Sequence, residues 1–346
     1  MKSNIEWQTG RILALHDATP TVRTFTVQYP QAPESYGHGS PGSHIQVHCT
    51  VEGRQHTRSY SVLPALANDA GDAGDPWAKG MVRFAVKRLD NGRGGSKAMW
   101  QLQVGDALAL TLPQNHFALD LAAPAYLLVA GGIGITPLWG MAQTLAQRQA
   151  PVTLLYAARS GKELAFLEPL QTLLGERLRI FVSAQGQRID FRAEFKSLAA
   201  QVPTASGPGT QMYFCGPSAM LEDARLAWGS CGLPLANLRY ETFGSSGRWA
   251  PEAFRVKVAR HGIDMVVDAD TGLLDALEQQ GLQCLSDCRR GECGLCAMDV
   301  LDLKGEIDHR DVFFSDAEKA DNHRICVCVS RVVGEITLDS AFRGDI

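Results

Sequence analysis

Long apolar runs are absent from this 346-residue sequence, which contains no stretch of about 18 consecutive apolar residues. The sequence therefore predicts no membrane-spanning helix and no membrane partner. Residues 1–7 include one lysine and no apolar segment, so we expect no secretory signal and a cytoplasmic location. Also absent are an internal repeat and any catalytic triad or carboxylate pair arranged for acid–base catalysis.

An excess of basic residues is absent too, since the formal net charge is −4. We therefore expect no nucleic acid partner. The charge is unevenly distributed, because residues 254–346 contain 11 Lys and Arg against 18 Asp and Glu, whereas the rest contains 22 against 19. An acidic C-terminal surface can orient a protein partner, although a solvated acidic face would give the same count.

The chain is long enough for two or three domains. Along it, three regions with different patterns of polar and apolar residues follow one another. Residues 8–113 alternate in short runs separated by Gly and Pro, which is typical of an antiparallel β-barrel. The predicted strands there are 21–29, 44–49, 81–87 and 107–112, with a loop over 65–80. From about residue 122, apolar strands alternate with helices, which indicates a parallel sheet covered on both faces. These strands are predicted over 125–130, 152–156, 179–183 and 211–215.

The third region follows a linker rich in Gly, Ser and Pro over residues 244–251. A hairpin of strands 254–259 and 264–268 and a helix over 272–280 are predicted beyond it. Six of the nine cysteines come next, between Cys284 and Cys328. Cys288, Cys293 and Cys296 have the C-x4-C-x2-C spacing of a plant-type [2Fe–2S] site, which takes its fourth thiolate from further along the chain.

Gly291 and Gly294 would let the cysteine loop pass close to such a cluster, where a Cβ would clash. Zinc is the alternative ligand, but zinc sites favour paired Cys-x2-Cys units. A disulfide framework is the other alternative, and nothing in the sequence indicates secretion.

A second group of residues predicts an anion site in the barrel. Arg58 and Tyr60 share one face of a strand, and Gly94, Gly95 and Ser96 open a helix. Glycine amides, a hydroxyl and a helix start can bind a phosphate, to which Arg58 would add a bidentate contact. A structural turn is the alternative interpretation of the glycines.

A third group predicts a dinucleotide site in the parallel sheet. Residues 131–137, Gly-Gly-Ile-Gly-Ile-Thr-Pro, follow an apolar strand and precede a helix, although they depart from the G-x-G-x-x-G spacing. Cys215, Gly216 and Pro217 end a later strand, where the Cys215 thiol would lie near a nicotinamide. Arg159 and Ser160 could reach the adenine ribose. Buried structural roles are the alternative for both segments, and the choice of NADH over NADPH stays open from the residues alone.

These motifs occur in an order that resembles the phthalate dioxygenase reductase family: Arg-x-Tyr-Ser, Gly-Arg-Gly-Gly-Ser, Gly-Gly-Ile-Gly-Ile-Thr-Pro, Cys-Gly-Pro, Tyr-Glu-Thr-Phe and the cysteine motif. The resemblance covers almost the whole chain and implies a multidomain α/β plus β fold. It implies a split antiparallel β-barrel FMN domain over 1–120, a Rossmann-like ferredoxin-reductase NAD domain over 121–243, a linker over 244–253 and a β-grasp plant-type ferredoxin domain over 254–346.

The resemblance also assigns the predicted site residues to three cofactors: FMN, NADH and a [2Fe–2S] cluster. FMN would be bound by Arg58, Ser59, Tyr60, Ser61, Val86, Lys87, Gly94, Gly95, Ser96 and Phe243, with Phe243 packed against the isoalloxazine. NADH would be bound by Gly132, Gly134, Ile135, Thr136, Pro137, Arg159, Ser160, Cys215, Gly216 and Pro217, with Thr136 and Cys215 at the reacting ring.

The fourth cluster ligand is either Cys326 or Cys328. The spacing from Cys296 slightly favours Cys326. In the family, however, the ligand begins the sequence Cys-Val-Ser-Arg, and in this chain that sequence begins at Cys328. The stretch 301–306 looks two residues longer than in the family, which would shift the register toward Cys328. We therefore predict Cys288, Cys293, Cys296 and Cys328 as ligands. Cys326 is expected on the same strand face, beside the cluster.

The predicted function is the reductase component of a Rieske-type aromatic-ring oxygenase or O-demethylase. A flavin is required because NADH delivers electrons in pairs and the cluster accepts one at a time. The alternatives are a stand-alone NADH-dependent flavin reductase for a small acceptor and a metal-binding module without activity. We expect a monomer whose partner is a separate oxygenase, and the sequence does not identify that oxygenase's substrate.

Overall fold

The computed structural model describes residues 6–31, 40–64, 80–90, 92, 94–201, 209–243, 249 and 251–339. Most of the predicted loop over 65–80 and of the predicted linker over 244–251 lies outside them. The chain divides into two compact units, Met1–Glu241 and Thr242–Ile346.

The first unit begins with a six-stranded antiparallel sheet in the order β4-β3-β6-β1-β2-β5. Its strands are β1 Trp7–Thr19, β2 Val22–Gln28, β3 His44–Val51, β4 Arg54–Ser61, β5 Met81–Lys87 and β6 Ala107–Thr111. A bridge between Val62 and Phe84 brings the two edge strands together, so the sheet curls into a split barrel. The inward side chains of alternating positions fill it, with Phe84 stacked between Phe25 and Tyr60. One helix, α1 Gly95–Gln101, follows β5.

The first unit continues with a five-stranded sheet in the order β11-β10-β7-β8-β9. Its strands are β7 Tyr126–Gly131, β8 Val152–Ala158, β9 Leu178–Val182, β10 Gln211–Gly216 and β11 Leu238–Thr242. The helices are α2 Ile135–Gln147, α3 Leu167–Leu174, α4 Phe191–Gln201 and α5 Ser218–Ser230. All six residues of β7 and of β10 are buried, as expected for central strands covered on both faces. The strand order reverses between β7 and β10, which pair in parallel.

The second unit contains a five-stranded mixed sheet in the order β13-β12-β16-β14-β15. Its strands are β12 Phe254–Val258, β13 Ile263–Val267, β14 Ala297–Asp308, β15 Arg324–Cys326 and β16 Arg331–Asp339. The helices are α6 Leu273–Gln279 and α7 Asp316–Asp321. The cysteine loop joins α6 to β14. Ser315 begins α7 with a capping box, accepting from the Glu318 backbone while the Glu318 side chain accepts from the Ser315 backbone.

The predicted fold class is confirmed, and each strand predicted above lies within a few residues of an observed one. One expectation is wrong. β15 ends at Cys326 and Cys328 lies in the following turn, so the two cysteines do not share a strand face. No helix among the described residues is both long and apolar enough to cross a membrane. The predicted domain boundaries stay a prediction.

Candidate functional site

The barrel places Arg58 against the start of α1. A Cβ added to Gly95 would lie 3.0 Å from Arg58 Nε, so the guanidinium can rest on this turn only because residue 95 has no side chain. Gly94 has a φ of 80° and would place a Cβ 2.6 Å from Val51 Cγ1. Both glycines are therefore needed by the packing, and the predicted anion site is brought together around Arg58.

The hydroxyl of Ser96 already has one partner in this turn. Its Oγ accepts a hydrogen bond from the backbone N–H of Leu89 at 3.1 Å. The hydroxyl proton remains available for an acceptor such as a phosphate oxygen. Trp100 on α1 donates its indole N–H to the carbonyl of Val86 at 3.1 Å, which ties this helix to β5.

Two further hydroxyls on β4 fit a bound polar ligand. The Oγ atoms of Ser59 and Ser61 are buried without a hydrogen-bond partner in the described part of the chain. Such atoms are rare in folded proteins and indicate a missing partner. Between them, burial raises the pKa of Tyr60, so its phenol stays neutral at physiological pH. This observation supports a cofactor beside β4.

Val86 and Lys87 lie at the end of β5. Val86 is fully buried, whereas the ammonium group of Lys87 lies 3.4 Å from a carboxylate oxygen of Glu163. Glu163 follows β8 in the parallel sheet, so this ion pair links the two sheets of the first unit. No sequence pattern indicates this pair, because the two residues are 76 positions apart.

The predicted dinucleotide segments meet where the strand order reverses. A Cβ at Gly134 would overlap the backbone carbonyl of Cys215, and one at Gly131 would lie 2.5 Å from Pro217 Cδ. The turn after β7 and the end of β10 are thus in backbone contact. In open α/β sheets, ligands bind in the crevice at this reversal, outside the carboxyl ends of the strands. Gly132 has a φ of 56° and would place a Cβ in open space, so it borders the crevice.

Thr136 and Cys215 are both buried at this crevice. Thr136 is 2% exposed and donates its hydroxyl to the carbonyl of Ile133 at 2.9 Å, and Cys215 has no exposed surface. Their predicted contact with a nicotinamide stays a prediction. Ile135 and Pro137 are buried in the first turn of α2, and Gly216 and Pro217 precede α5.

Arg159 and Ser160 lie at the same edge of the parallel sheet. They follow β8, whose Ala157 pairs with Gly131 at the end of β7. The side chain of Arg159 is exposed, and its carbonyl accepts from the backbone N–H of Ala184 at 2.9 Å. This edge is where the ribose of a dinucleotide would lie if its pyrophosphate occupied the crevice.

Five thiols lie close together in two groups. Three belong to the cysteine loop, and the other two are those of Cys326 and Cys328. Cys288 Sγ accepts from the backbone N–H groups of Arg290 and Cys293, both at 3.4 Å. A hydrogen bond from the Cys288 thiol lowers the pKa of Cys293 to about 6. Hydrogen bonds from the thiols of Cys326 and Cys328 lower the pKa of Cys296 to about 4. Cys293 and Cys296 therefore have thiolate character, which is the metal-binding form.

The thiols of this region match the number that a two-iron cluster requires. Among the described residues, no three His, Cys, Asp or Glu side chains converge as ligands of one metal ion. In a [2Fe–2S] centre each iron takes two protein ligands, as the mixed ligation of Rieske centres shows. One pair from Cys288 and Cys293, and one from Cys296 with Cys326 or Cys328, meets that requirement.

Cys326 and Cys328 differ in their surroundings. Cys326 has no exposed surface and belongs to the apolar core under the sheet, whereas Cys328 is partly buried in the turn beside that core. Both thiols reach Cys296, so the geometry leaves both as candidates for the fourth ligand. The hydrogen bond to Cys296 and, after it, burial raise the pKa of each.

The two loop glycines are needed for a reason that the sequence did not indicate. Gly291 and Gly294 have φ values of 74° and 72°. A Cβ at Gly291 would lie 2.8 Å from Asp311 Cα, and one at Gly294 would overlap the ring of Phe313. Close packing against the chain itself, in addition to any cluster, excludes side chains here.

Two charged residues hold the loop through contacts that sequence reasoning missed. Arg289 is paired with Asp275 at 3.1 Å and with Glu278 at 2.6 Å, both on α6. Glu292 accepts from the backbone N–H of Thr242 at 2.9 Å. The only signal was an acidic helix preceding a loop with adjacent arginines, and neither contact follows from spacing.

Asp311 is a buried carboxylate beside the cysteine loop. It is 2% exposed, accepts from the Phe314 N–H at 2.9 Å, and lies 3.3 Å from Ser330 Oγ. The neighbouring His309 ring and the hydrogen bond from Phe314 outweigh the effect of burial and lower the pKa of its carboxyl. Phe243 is partly buried, and its predicted packing against an isoalloxazine stays a prediction.

Three family matches cover the chain in order. Residues 11–119 match the oxidoreductase FAD-binding domain, residues 128–226 the oxidoreductase NAD-binding domain, and residues 256–333 the 2Fe–2S iron–sulfur cluster binding domain. The structure and these matches define an NAD-dependent flavin and iron–sulfur oxidoreductase.

Individual relatives narrow the class to one family. The chain is 35% identical to the heme-dependent oxidative N-demethylase beta subunit of Ectopseudomonas mendocina, over 95% of this chain and 97% of that protein. It is 35% identical to phthalate dioxygenase reductase of Burkholderia cepacia, over 74% and 78%. The solved structure of phthalate dioxygenase reductase superimposes with a TM-score of 0.75 at 29% identity, covering 96% of this chain and 98% of that one. The chain belongs to the phthalate dioxygenase reductase family.

Proposed function

We propose that this protein is the reductase component of an oxygenase system, taking electrons from NADH through FMN and a [2Fe–2S] cluster to a separate Rieske-type oxygenase. One observation carries the proposal: the chain that forms a dinucleotide crevice between β7 and β10 also gathers Cys288, Cys293 and Cys296 beside two further thiols. Neither a hydrolase nor a simple binding module requires both a dinucleotide crevice and a group of thiols.

The residues of the first unit bind and orient the donor and the flavin. Arg58 and Ser96 bind the flavin phosphate, Ser59 and Ser61 donate to or accept from the flavin, and Gly132 and Gly134 admit the dinucleotide. Bound flavin supplies the conversion between paired electrons and single ones. The second unit holds the cluster on Cys288, Cys293, Cys296 and Cys328.

FMN is the proposed flavin because the site around Arg58 suits a terminal phosphate. The guanidinium rests on Gly95 and the Ser96 hydroxyl is free to donate, so a doubly charged phosphate receives charge-assisted hydrogen bonds. An inner phosphodiester of FAD carries less charge and would use the site less fully. NADH is the proposed donor, as the family resemblance implies.

The proposed direction of electron flow follows from typical potentials. Plant-type clusters lie near about −400 mV and Rieske centres at about −150 mV or higher. A difference of roughly 250 mV corresponds to on the order of 6 kcal/mol per electron. Delivery to a Rieske acceptor would therefore be effectively one-way.

A haem protein is the second candidate acceptor. It is favoured by the similarity, over nearly the full length of both chains, to the heme-dependent N-demethylase subunit.

We further propose that the protein is a monomer and that it lies in a reducing cytoplasm. The location fits the nine cysteines, all of which lie in the described residues and form no disulfide there.

The experiment combines cofactor analysis with acceptor assays. Protein purified without air should release one FMN per chain and contain two irons and two sulfides. NADH should bleach the flavin and cluster absorption, and a Rieske oxygenase and a haem demethylase are then offered as acceptors in parallel. Released FAD, stoichiometric zinc without iron, or reduction of small quinones alone would contradict the proposal.

A further inference from the structure

Phe313 covers part of the cysteine loop. A Cβ at Gly294 would overlap three carbons of the Phe313 ring, so the ring lies directly on the backbone between Cys293 and Cys296. Its neighbour Phe314 is 4% exposed and meets Phe313 edge to face at 5.1 Å between ring centroids. The buried ring therefore fixes the position of the exposed one.

Two large apolar side chains are exposed at this point. Phe313 is 44% exposed and Leu295, next to Gly294 in the loop, is 49% exposed. An isolated exposed apolar residue is ordinary on a protein surface, but adjoining ones indicate an interaction site. Here both adjoin the loop that carries three of the predicted ligands.

Acidic side chains follow this apolar surface along the chain. Asp316, Glu318 and Asp321 on α7 are exposed, and the helix begins three residues after Phe313. The one cation of α7, Lys319, donates to the carbonyl of Asp311 at 2.7 Å and is only partly exposed. A partner that fits this surface has an apolar centre with a basic rim.

We infer that Phe313 and Leu295 form the docking surface for the protein that receives electrons, with the carboxylates of α7 as its rim. The inference rests on the proposed function and names the surface through which it acts. A partner seated here lies against the ligand loop, and the electron-transfer rate falls steeply with distance. Exposing these side chains to water is unfavourable, and docking removes them from it.

The test uses the holoprotein with horse-heart cytochrome c, a lysine-rich protein, as the acceptor probe. NADH and two ferric haems give NAD+, one proton and two ferrous haems, so the reaction balances without another reactant. Phe313→Gln keeps a long side chain over Gly294 but makes it polar, and Phe313→Leu keeps it apolar. Leu301→Gln is the matched control, since Leu301 is 61% exposed on β14 and lies outside the cysteine loop.

We expect Phe313→Gln and Leu295→Gln to raise the KM for cytochrome c about tenfold, a typical effect of losing an apolar contact at the centre of an interface. Phe313→Leu and Leu301→Gln should stay within about twofold of wild type. Ferricyanide reduction and the signal of the reduced cluster in electron paramagnetic resonance (EPR) should be unchanged in all four. If Phe313→Gln loses its cluster, Leu295→Gln carries the test.

Unchanged KM values in both glutamine variants would overturn the docking surface. Equal losses in Phe313→Leu and Phe313→Gln would also overturn it, because they would indicate that only the ring's packing matters. Failure of the proposed function is recognised separately: Cys293→Ser would then reduce cytochrome c as fast as wild type, showing that the cluster is not on the electron path.

Discussion

The backbone carbonyl of Cys215 occupies the space into which a side chain at Gly134 would point. This contact joins the turn after β7 to the end of β10, two strands that pair in parallel although their paired residues lie 85 positions apart in the chain (Tyr126 with Gln211). It makes the dinucleotide crevice a feature of the backbone rather than of any one polar side chain.

Gly134→Ala is therefore expected to damage both stability and the donor site. Overpacking of a closed interior typically costs about 1–3 kcal/mol, and the forced separation of β7 and β10 should raise the KM for NADH. Thermal unfolding and NADH–ferricyanide kinetics measure the two effects. Gly140→Ala on α2 is the control, because its Cβ would meet Pro41 only at 3.6 Å, and an alanine within a helix is favoured by up to about 1 kcal/mol. If Gly134→Ala were as stable and as active as Gly140→Ala, this would contradict the close contact between Gly134 and the backbone carbonyl of Cys215.

Arg58→Ala is expected to weaken FMN binding. Loss of a charge-assisted hydrogen bond costs about 1.5–3 kcal/mol, or roughly 10- to 150-fold in the dissociation constant. Fluorescence of flavin released on dilution measures it. Arg11→Ala, which removes an exposed arginine of β1 whose side chain donates to the Gly105 carbonyl, should bind FMN normally. Equal affinity in both variants would place the phosphate elsewhere.

Cys328→Ser is expected to abolish the cluster, whereas Cys326→Ser should keep it. Serine oxygen is a poor substitute for a thiolate at iron, while Cys326 is not a ligand in the proposed assignment. Because Cys326 is fully buried, its serine variant should still lose about 1–3 kcal/mol of stability through a buried hydroxyl. EPR of each dithionite-reduced variant decides the matter. A normal signal in Cys328→Ser with none in Cys326→Ser would reverse the assignment.

Truncation within residues 244–251 is expected to leave a folded flavoprotein. The first compact unit ends at Glu241, and the flavin and NADH residues other than Phe243 all lie before that point. The shortened chain should oxidise NADH with ferricyanide but should not reduce cytochrome c efficiently. A folded product without FMN or without ferricyanide activity would show that the two units do not work as separate parts of a relay.

Most of the architecture could be predicted from the sequence because local pattern determines it. The buried run of β7 is apolar throughout and that of β10 is apolar after Gln211, whereas polar and apolar residues alternate along β3, so the period distinguishes the central strands of the parallel sheet from a strand of the barrel. The cysteine spacing likewise constrains its ligand before any fold is known.

The remaining features depend on contacts between distant residues. Arg289 with Asp275 and Glu278, and Glu292 with Thr242, have no sequence period to reveal them. The strand β15 is only three residues long, so its end at Cys326 could not be located by alternation. Spacing alone does not decide between Cys326 and Cys328, since both thiols reach Cys296 from different backbone conformations.

The most direct test of the relay is an anaerobic titration of the purified holoprotein with NADH, followed by EPR. The account predicts that NADH alone produces the signal of a reduced [2Fe–2S] cluster in the wild type. In Cys293→Ser, NADH should still bleach the flavin but give no such signal. A wild-type protein whose flavin is bleached by NADH while its cluster stays oxidised, even when dithionite can reduce it, would contradict the account.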